Sequence, residues 1–566
     1  MTEAPVAASP MMAQYLSIKA QAAGCLLFFR MGDFYELFFD DAAKAAATLD
    51  IALTRRGQHL GADIPMCGVP VHSAEAYLMR LIRAGHRVAI AEQIEPPAEA
   101  KKRGAKSVVA RAIVRVVTPG TLTEDTLLDA RACNYLAAVA PFAGTAGVAW
   151  CDVSTGAFRT LSTTPDGLGA ELARIAPAEV VAPEGWAGAG WVGEATFRPS
   201  ADFDSRAANQ RLCDRFGVAT LDGFGHLARE AVAAAGALLA YLEATAAGAL
   251  PLLTPPVPSP PGGIMAIDAA TRSSLEISRS ALGARAGSLL DAVDLTVTGP
   301  GARMLADDLA GPLTDAAAIG ERLDLVAWFC GLAVVRGRTR DALKAGADLE
   351  RALSRLALDR GGPRDLAAIR DGLGIALALK AALAQVSAID VPPLLTATLG
   401  RVGAHGGTIE GLRAALVAEP PLDRAHGGFV APGYDAALDE LRAAASDGRR
   451  LVAALETRLR GETGVAALKI RHNGVLGYHI EVAARNADAL LANPGFTHRQ
   501  TLAGVVRFGS TELHGLATRI AQAGDHALAA EAAHFEALRE GVLDHAPAIA
   551  ATAAALARID VASGLA

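Results

Sequence analysis

The sequence predicts a multidomain chain of mixed class: two N-terminal α/β domains, then a long-helix domain with a small β-rich domain inserted in it. Three observations carry this. Short apolar strands alternate with helical runs up to about residue 250. A proline-dense stretch follows, and beyond it helical spacing is almost unbroken. The exception is one switch from a period of 3.6 to a period of 2 near residue 468.

Length and composition agree. At 566 residues the chain is too long for one core, and a rough ~150 residues per domain suggests about three to five domains. Hydrophobic residues are 52% of the chain and aromatic ones 5%, an Ala-dominated balance that favours long helices. The apolar run Ala231–Leu242 falls below the ~18 to 20 residues that cross a bilayer, so no membrane span or membrane partner is expected. The N-terminus shows no basic region followed by an apolar core, so no secretion signal is expected either. Cys25, Cys67, Cys133, Cys151, Cys213 and Cys330 show no Cys-x-x-Cys spacing, which argues against structural zinc and a disulfide framework. A reducing, cytoplasmic setting fits. The net charge of −7 announces no nucleic acid globally, so any basic surface must be local.

Residues 1–125 read as the first α/β domain, with apolar segments at Leu26–Met31, Asp41–Leu49, Tyr77–Ala84, Val88–Ala91 and Ile113–Val117. Residues 28–39 hold five of the sixteen Phe and one of the seven Tyr. There Leu26–Met31 reads as a buried strand, Gly32-Asp33 as a turn, and residues 37–49 as an amphipathic helix with Asp40-Asp41 near its start. Phe28, Phe29, Phe38 and Phe39 are expected in the core. Phe34 and Glu36 fall at the strand-to-helix turn, where a ring and a carboxylate can reach a partner. Between Ala100 and Thr123 there is no acid, but there are Lys101, Lys102, Arg103, Lys106, Arg111 and Arg115. That segment is either a solvated loop or a phosphate-contacting one.

Residues 126–250 read as a second α/β unit, a connector, opening on the run from Gly147 to Phe158 with Ser154-Thr155-Gly156 as a hairpin. Asp152 sits where a ribonuclease-H-like nuclease places a metal-binding carboxylate, but two-metal chemistry needs several convergent acids, and no second one stands at a matching position. The proline-dense residues 251–263 read as a stiff linker outside helix and sheet. A helical body is expected over 264–432 and 506–566. Between its parts, 433–505 reads as an arm: a long helix from Tyr434 to Arg460 with Leu438, Leu441, Leu451, Leu455 and Leu459 on one side, then alternating strands around Asn473-Gly474. Its tip carries Lys469, Arg471, His472, Arg485, His498 and Arg499, cations able to track a phosphate backbone.

Several strings together identify a resemblance. Pro10-Met11-Met12-Ala13-Gln14-Tyr15, the Phe29–Phe38 stretch, Asp50–Gly57, Ile64-Pro65-Met66-Cys67-Gly68-Val69-Pro70 and Val117-Thr118-Pro119-Gly120-Thr121 resemble the MutS family of DNA mismatch repair proteins. The likeness continues through Asp268–Glu276, Gly477-Tyr478-His479-Ile480 and Arg499-Gln500-Thr501-Leu502, in order and along essentially the whole chain.

The resemblance implies a mismatch-binding domain, a connector, a lever and a clamp inserted in the lever, working as a homodimer around duplex DNA with a MutL-type matchmaker as partner. It implies that Phe34 enters the minor groove as a wedge at mismatched or unpaired bases, which unstack and bend at lower cost than paired ones. Glu36 would face an edge of the mispaired base. Near phosphates and out of water a carboxylate favours its protonated form, which can donate to a purine N7 or a pyrimidine acceptor. Arg55, Arg56, Arg111, Asn473, His498 and Arg499 map as backbone contacts. The family continues into an ATPase domain using ATP and Mg, but this sequence has no Gly-x-x-x-x-Gly-Lys-[Ser/Thr] and no Gly-Lys dipeptide. A fragment is therefore expected, with no cofactor and no catalytic residue of its own. Two other readings compete: a helical scaffold that binds only proteins, and a metal-dependent nuclease built on Asp152.

Overall fold

The computed structural model describes residues 9–104, 107–188, 195–246, 250–259, 262–386, 391–473 and 476–566. Lys106, Pro260-Pro261, Gly474 of the Asn-Gly pair and the side chain of Lys101, all used above, lie outside the described residues. The chain forms two compact units: Met1–Gly361, Asp371–His405 and His545–Ala566 in one, Gly362–Arg370 and Gly406–Asp544 in the other.

The first unit begins with helix α1 (Pro10–Gln21), capped by the Ser9 side chain accepting from the Met12 N–H. Strands β1 (Leu26–Met31) and β2 (Phe34–Phe38) form a hairpin across Gly32-Asp33. There follow α2 (Phe39–Leu49), β3 (Thr54–His59), β4 (Ala62–Pro70), α3 (Ala74–Arg83), β5 (Val88–Gln93), α4 (Pro97–Lys102) and β6 (Arg111–Val117). The six strands lie in the order β3-β4-β2-β1-β5-β6. Only the β1–β5 pair is parallel.

Alternation along the strands sorts the aromatic cluster onto two faces. Leu26, Phe28, Tyr35 and Leu37 pack with α2 and α3, while Leu27, Phe29 and Phe38 pack with Met12, Tyr15 and Ile18 of α1. Phe28, Phe29 and Phe38 are buried as expected; Phe39 is only half-buried, with φ of 56°. The expected helix start at residue 37 is corrected to Phe39. Phe34 therefore stands on a strand, just past a hairpin turn, and not at a strand-to-helix turn. Hydrophobic periodicity also predicts no strands over 54–70, where the structure has β3 and β4. β3 is polar and almost wholly exposed, and β4 contains two prolines and a glycine, so neither shows the apolar alternation that marks a strand.

The connector holds β7 (Tyr135–Phe142), β8 (Thr145–Asp152), β9 (Phe158–Thr163), α5 (Leu168–Ile175), β10 (Glu179–Pro183), β11 (Ala195–Arg198), α6 (Ser205–Phe216), α7 (Arg229–Ala246) and β12 (Val257–Pro258). Its sheet runs β11-β10-β7-β8-β9-β12. Two expectations change here. The domain opens on β7, not at Gly147; β7 is rich in Ala, which carries little strand signal. The proline run was expected to stay outside any sheet, yet Val257 and Pro258 pair with Arg159 and Thr160 as an edge strand, the place where a missing N–H costs nothing. The first domain is pinned to this sheet by Glu179. That carboxylate, 5% exposed, accepts from Thr118 Oγ1 at 2.5 Å, Gly120 N at 3.2 Å, Thr196 Oγ1 at 2.8 Å and Tyr241 Oη at 2.7 Å.

Helices α8 (Ala269–Ser274), α9 (Leu289–Val293), α10 (Gly299–Ala310), α11 (Ala316–Gly331), α12 (Ala333–Lys344), α13 (Leu349–Ala357), α14 (Pro363–Ala384) and α15 (Pro393–Gly400) continue the chain. In the second unit α16 (Gly406–Ala415) precedes α17 (Ala436–Thr463), whose 28 residues span about 42 Å at ~1.5 Å per residue. Next come β13 (Lys469–Asn473), β14 (Gly477–Ala483), α18 (Asp488–Leu491), β15 (Thr497–Leu502), β16 (Val505–Gly509) and the returning α19 (Thr511–Leu543). The buried seam of α17 is Leu438, Gly448, Val452, Leu455 and Leu459; Leu451, expected there, is 51% exposed. Gly448 is required by close approach, because a Cβ there would lie 2.4 Å from Ile520 Cγ1 of α19. The chain then returns to the first unit as α20 (Ala546–Leu565), packed on α10, α11, α12 and α13. Among the described residues one helix, α20, is long and apolar enough by length and composition to cross a membrane, and it is mostly buried as a core helix.

Buried charge gives the first domain a pH signature. Glu124 is pushed up by burial, yet the Arg115 guanidinium, donating to Oε2 at 3.0 Å, wins and holds its carboxyl at about 2. A depressed folded pKa gives stability that is present above the unfolded value near 4.5 and is lost as pH falls toward 2. We expect Glu124→Gln to cost roughly 2 to 3 kcal/mol at pH 7 by linkage. Denaturant unfolding of both proteins should show that difference shrink by half or more between pH 5 and pH 3.

Candidate nucleic-acid interface

The parity of β2 places Phe34, Glu36 and Phe38 on the face that carries α1. Phe38 is covered there by Tyr15, at 4.9 Å between ring centroids, whereas Phe34 lies beyond that cover and is 47% exposed. An exposed ring at a hairpin is normally mobile, but this backbone is held on both sides. Phe34 is registered against Met31 of β1 and Pro70 of β4, and Tyr35 anchors the opposite face. The Tyr35 ring stacks on Phe28 at 5.4 Å, and its hydroxyl donates to Glu92; burial, with that carboxylate, pushes the hydroxyl up to about 12. Fixed strands thus present one ring and one carboxylate two residues apart on an open face.

Gly68 belongs to the same constellation, and the sequence showed it only as part of a motif. It is registered opposite Glu36, and a Cβ on it would lie 3.8 Å from Phe34 Cδ1 and 3.9 Å from Glu36 Cγ. The missing side chain therefore makes a flat floor between ring and carboxylate. Only the β2–β4 pairing reveals this, and the sequence reading lacked both strands.

Three arginines of this domain are in different states. Arg56 lies at a register shift in β3 next to Gly57, whose φ is 72°, and its Nη1 donates to both Glu36 oxygens at 2.7 and 2.5 Å. Arg55, 77% exposed, instead meets Asp63 at 2.9 Å. Arg111 is committed inward. It donates to Arg30 O at 2.6 Å, Val109 O at 2.8 Å and Gln14 Oε1 at 3.0 Å, and lies over the Phe29 ring at 4.8 Å. Burial lowers its pKa, while Glu36 acts in the opposite sense. In the acid-free window, Arg103 and Arg115 pair with acids just outside it, Glu95 and Glu124.

On the arm, all six residues of β15 are exposed. His498 Nε2 shares a hydrogen bond with Thr501 Oγ1 at 2.9 Å. Arg499 lies over Gly509, whose added Cβ would be 3.0 Å from its Nε. Asn473 Oδ1 accepts from the Leu476 N–H at 2.7 Å and so shapes the hairpin end. Arg471 meets Glu481 at 3.3 Å. A groove beside them is lined by Arg449, His472, His479, Arg499 and His514, with no acid among its described lining residues.

Asp152 belongs to the fold. It is 1% exposed and accepts from Asn134 N and Ser154 N, both at 2.9 Å, and from Ser154 Oγ at 2.6 Å, closing the β8–β9 turn. Among the described residues no group of three or more His, Cys, Asp or Glu is placed to hold a metal. The geometry of Asp152 thus lends the nuclease reading no support.

Comparison with known proteins gives three matches to family models. A family model described as MutS domain I matches residues 9–126, MutS domain II matches 134–254 and MutS domain III matches 270–566. A protein named DNA mismatch repair protein MutS from Erythrobacter litoralis is 55% identical over 570 residues, covering 99% of this chain and 64% of its own length. The protein of that name from Zymomonas mobilis is 52% identical over 562 residues, covering 98% of this chain and 64% of its own length. The chain thus spans less than two thirds of the length of these relatives.

Asp152→Ala is expected to destabilise the connector by about 1 to 3 kcal/mol, because buried donors are left unpaired. A thermal melt with and without Mg2+ checks this; a midpoint unchanged by the substitution would contradict the structural role.

Proposed function

The chain belongs to the MutS family, and on that premise we propose that it recognises mismatched or unpaired bases in duplex DNA through Phe34 and Glu36. The observation that carries the reading is an exposed aromatic ring on a backbone fixed by two neighbouring strands, beside a carboxylate on the same face. An apolar wedge entering the minor groove must unstack a base step, at a cost of a few kcal/mol. A mispaired or looped-out base has already lost part of that stacking. The same ring therefore enters there at lower cost, and discrimination arises in the DNA rather than in a pocket.

Around the wedge, Arg55 and Arg56 supply phosphate contacts once their acids are displaced. On the arm Asn473, His498 and Arg499 do the same, in a sequence-independent way. Arg111 acts chiefly by bracing Phe29 and β1, and a contact from it to phosphate would replace hydrogen bonds it already makes. We further propose a homodimer, in which one subunit inserts Phe34, a MutL-type partner, and action in the cytoplasm on nucleoid DNA. ATP and Mg are proposed for the longer relatives; no residue of this chain is assigned to them.

Binding of the chain to a matched duplex and to the same duplex with a G·T mismatch or one unpaired T tests the reading, at stated salt. The wild type should prefer the mismatched duplexes. Phe34→Ala should weaken mismatch binding by roughly ten- to a hundredfold, the worth of one base stack, with little change in melting temperature. Equal affinity for all duplexes, or no effect of Phe34→Ala, would sink the proposal. Gly68→Val should also lower mismatch preference, because its methyls fill the floor between ring and carboxylate.

A further inference from the structure

We propose that Arg56 and Glu36 form a charge latch that sets discrimination, the duplex gaining a phosphate contact from Arg56 only where a mispaired base takes Glu36 from it. The inference rests on the recognition reading above. It starts from a conflict in the observed geometry: the carboxylate that must face a base is held at both oxygens by the guanidinium that must face a phosphate.

Both halves can act only if the pair opens, and the surroundings set the cost. The side chain of Glu36 is 13% exposed and that of Arg56 is 45% exposed, so the arginine end is the one a solvent-borne phosphate can reach. The register shift between Arg55 and Gln58 separates the two neighbouring arginines, sending Arg55 to Asp63 and Arg56 to Glu36. A bulge is a common device for re-aiming one side chain without moving the sheet. Once Arg56 leaves, Arg111 remains near Glu36, but its guanidinium is fixed to Arg30 O and Val109 O and does not follow.

The two duplexes then meet different balances. On matched DNA a phosphate that captures Arg56 leaves the Glu36 carboxylate facing further phosphates with no base edge in reach. The latch stays closed and the contact is not gained. On mismatched DNA Phe34 has entered, a base edge replaces Arg56 as the partner of Glu36, and Arg56 is released to the backbone. Mismatch recognition thus gains one ionic contact that matched DNA does not.

That difference is read in the salt dependence of binding, where each phosphate neutralised contributes a slope of about 0.9 in log K against log salt. The experiment is a salt series with matched and G·T duplexes for wild type, Glu36→Gln, Arg56→Met and the double variant. We expect Glu36→Gln to strengthen matched-duplex binding and to steepen its slope by about one contact. In the Arg56→Met background the same substitution should change neither, and Arg56→Lys, which restores the charge, should bring the effect back in part. If Glu36→Gln strengthens matched binding equally with and without Arg56, the acid acts by its own repulsion and the latch is overturned. A wild type without mismatch preference overturns the recognition reading itself, and the latch with it; preference without coupling overturns the latch alone. Circular dichroism of each variant checks that the fold is kept.

Discussion

Side-chain alternation on β2 is the constraint on which the rest of the site depends. Tyr35 and Leu37 are drawn to one face by the core between the sheet and helices α2 and α3, and Phe34 and Glu36 are thereby driven to the other. A slip of one residue in the hairpin would bury the ring and the acid and expose Tyr35 and Leu37. Several features resist such a slip: the Phe28–Tyr35 stack, the hydroxyl of Tyr35 on Glu92, and the Tyr15 contact over Phe38. The aromatic density of this stretch is therefore mostly register control, and a single ring of it is left for a partner.

Charge is arranged on the same logic. With a net charge of −7 the chain as a whole repels a polyanion, so the proposed affinity for DNA has to come from local surfaces. Each of the three arginines has a protein partner: Asp63 for Arg55, Glu36 for Arg56, and backbone oxygens for Arg111. The exposed Arg55–Asp63 pair is worth little, about 0 to 1 kcal/mol, and exchanges readily for a phosphate, whereas Arg56 is held by a carboxylate that is itself shielded from solvent. Arg111, inward and half desolvated, does not exchange. Cations that look alike in the sequence thus divide into an exchangeable contact, a held one and a brace, and burial makes the division.

Much of this was legible in the residues. The long helix near 436–463 and the strands after it follow from periodicity alone, as does the division into two α/β domains and a helical body. What periodicity could not show was the ribbon of β2, β3 and β4. Thr54-Arg55-Arg56-Gly57-Gln58-His59 carries no apolar residue, and Ala62–Pro70 carries two prolines, yet both pair because they lie toward a sheet edge where burial on one face suffices. Losing them hid Gly68 and the Arg56–Glu36 contact, since a relation between three strands has no local signal. Asp152 shows the opposite limit. Its type and its strand suggested chemistry, and only its three donors reveal a turn being closed.

The rigidity of the hairpin bears on how a protein can tell two duplexes apart without reading bases. A probe on a mobile loop would pay an ordering cost on binding any duplex, and that cost would lower affinity for matched and mismatched DNA alike. It would also let the ring retreat from a well-stacked step, so that the step's stiffness went unmeasured. With the Phe34 backbone held between β1 and β4, the proposed wedge has little room to retreat, and in the proposed function the deformation falls on the DNA. The energy of binding then reports how easily that base step bends and opens, which is the property in which a mismatch differs from its neighbours. In the proposed latch Glu36 adds a check of another kind, since a base that has moved must offer it a partner in place of Arg56 before the wedge is stabilised.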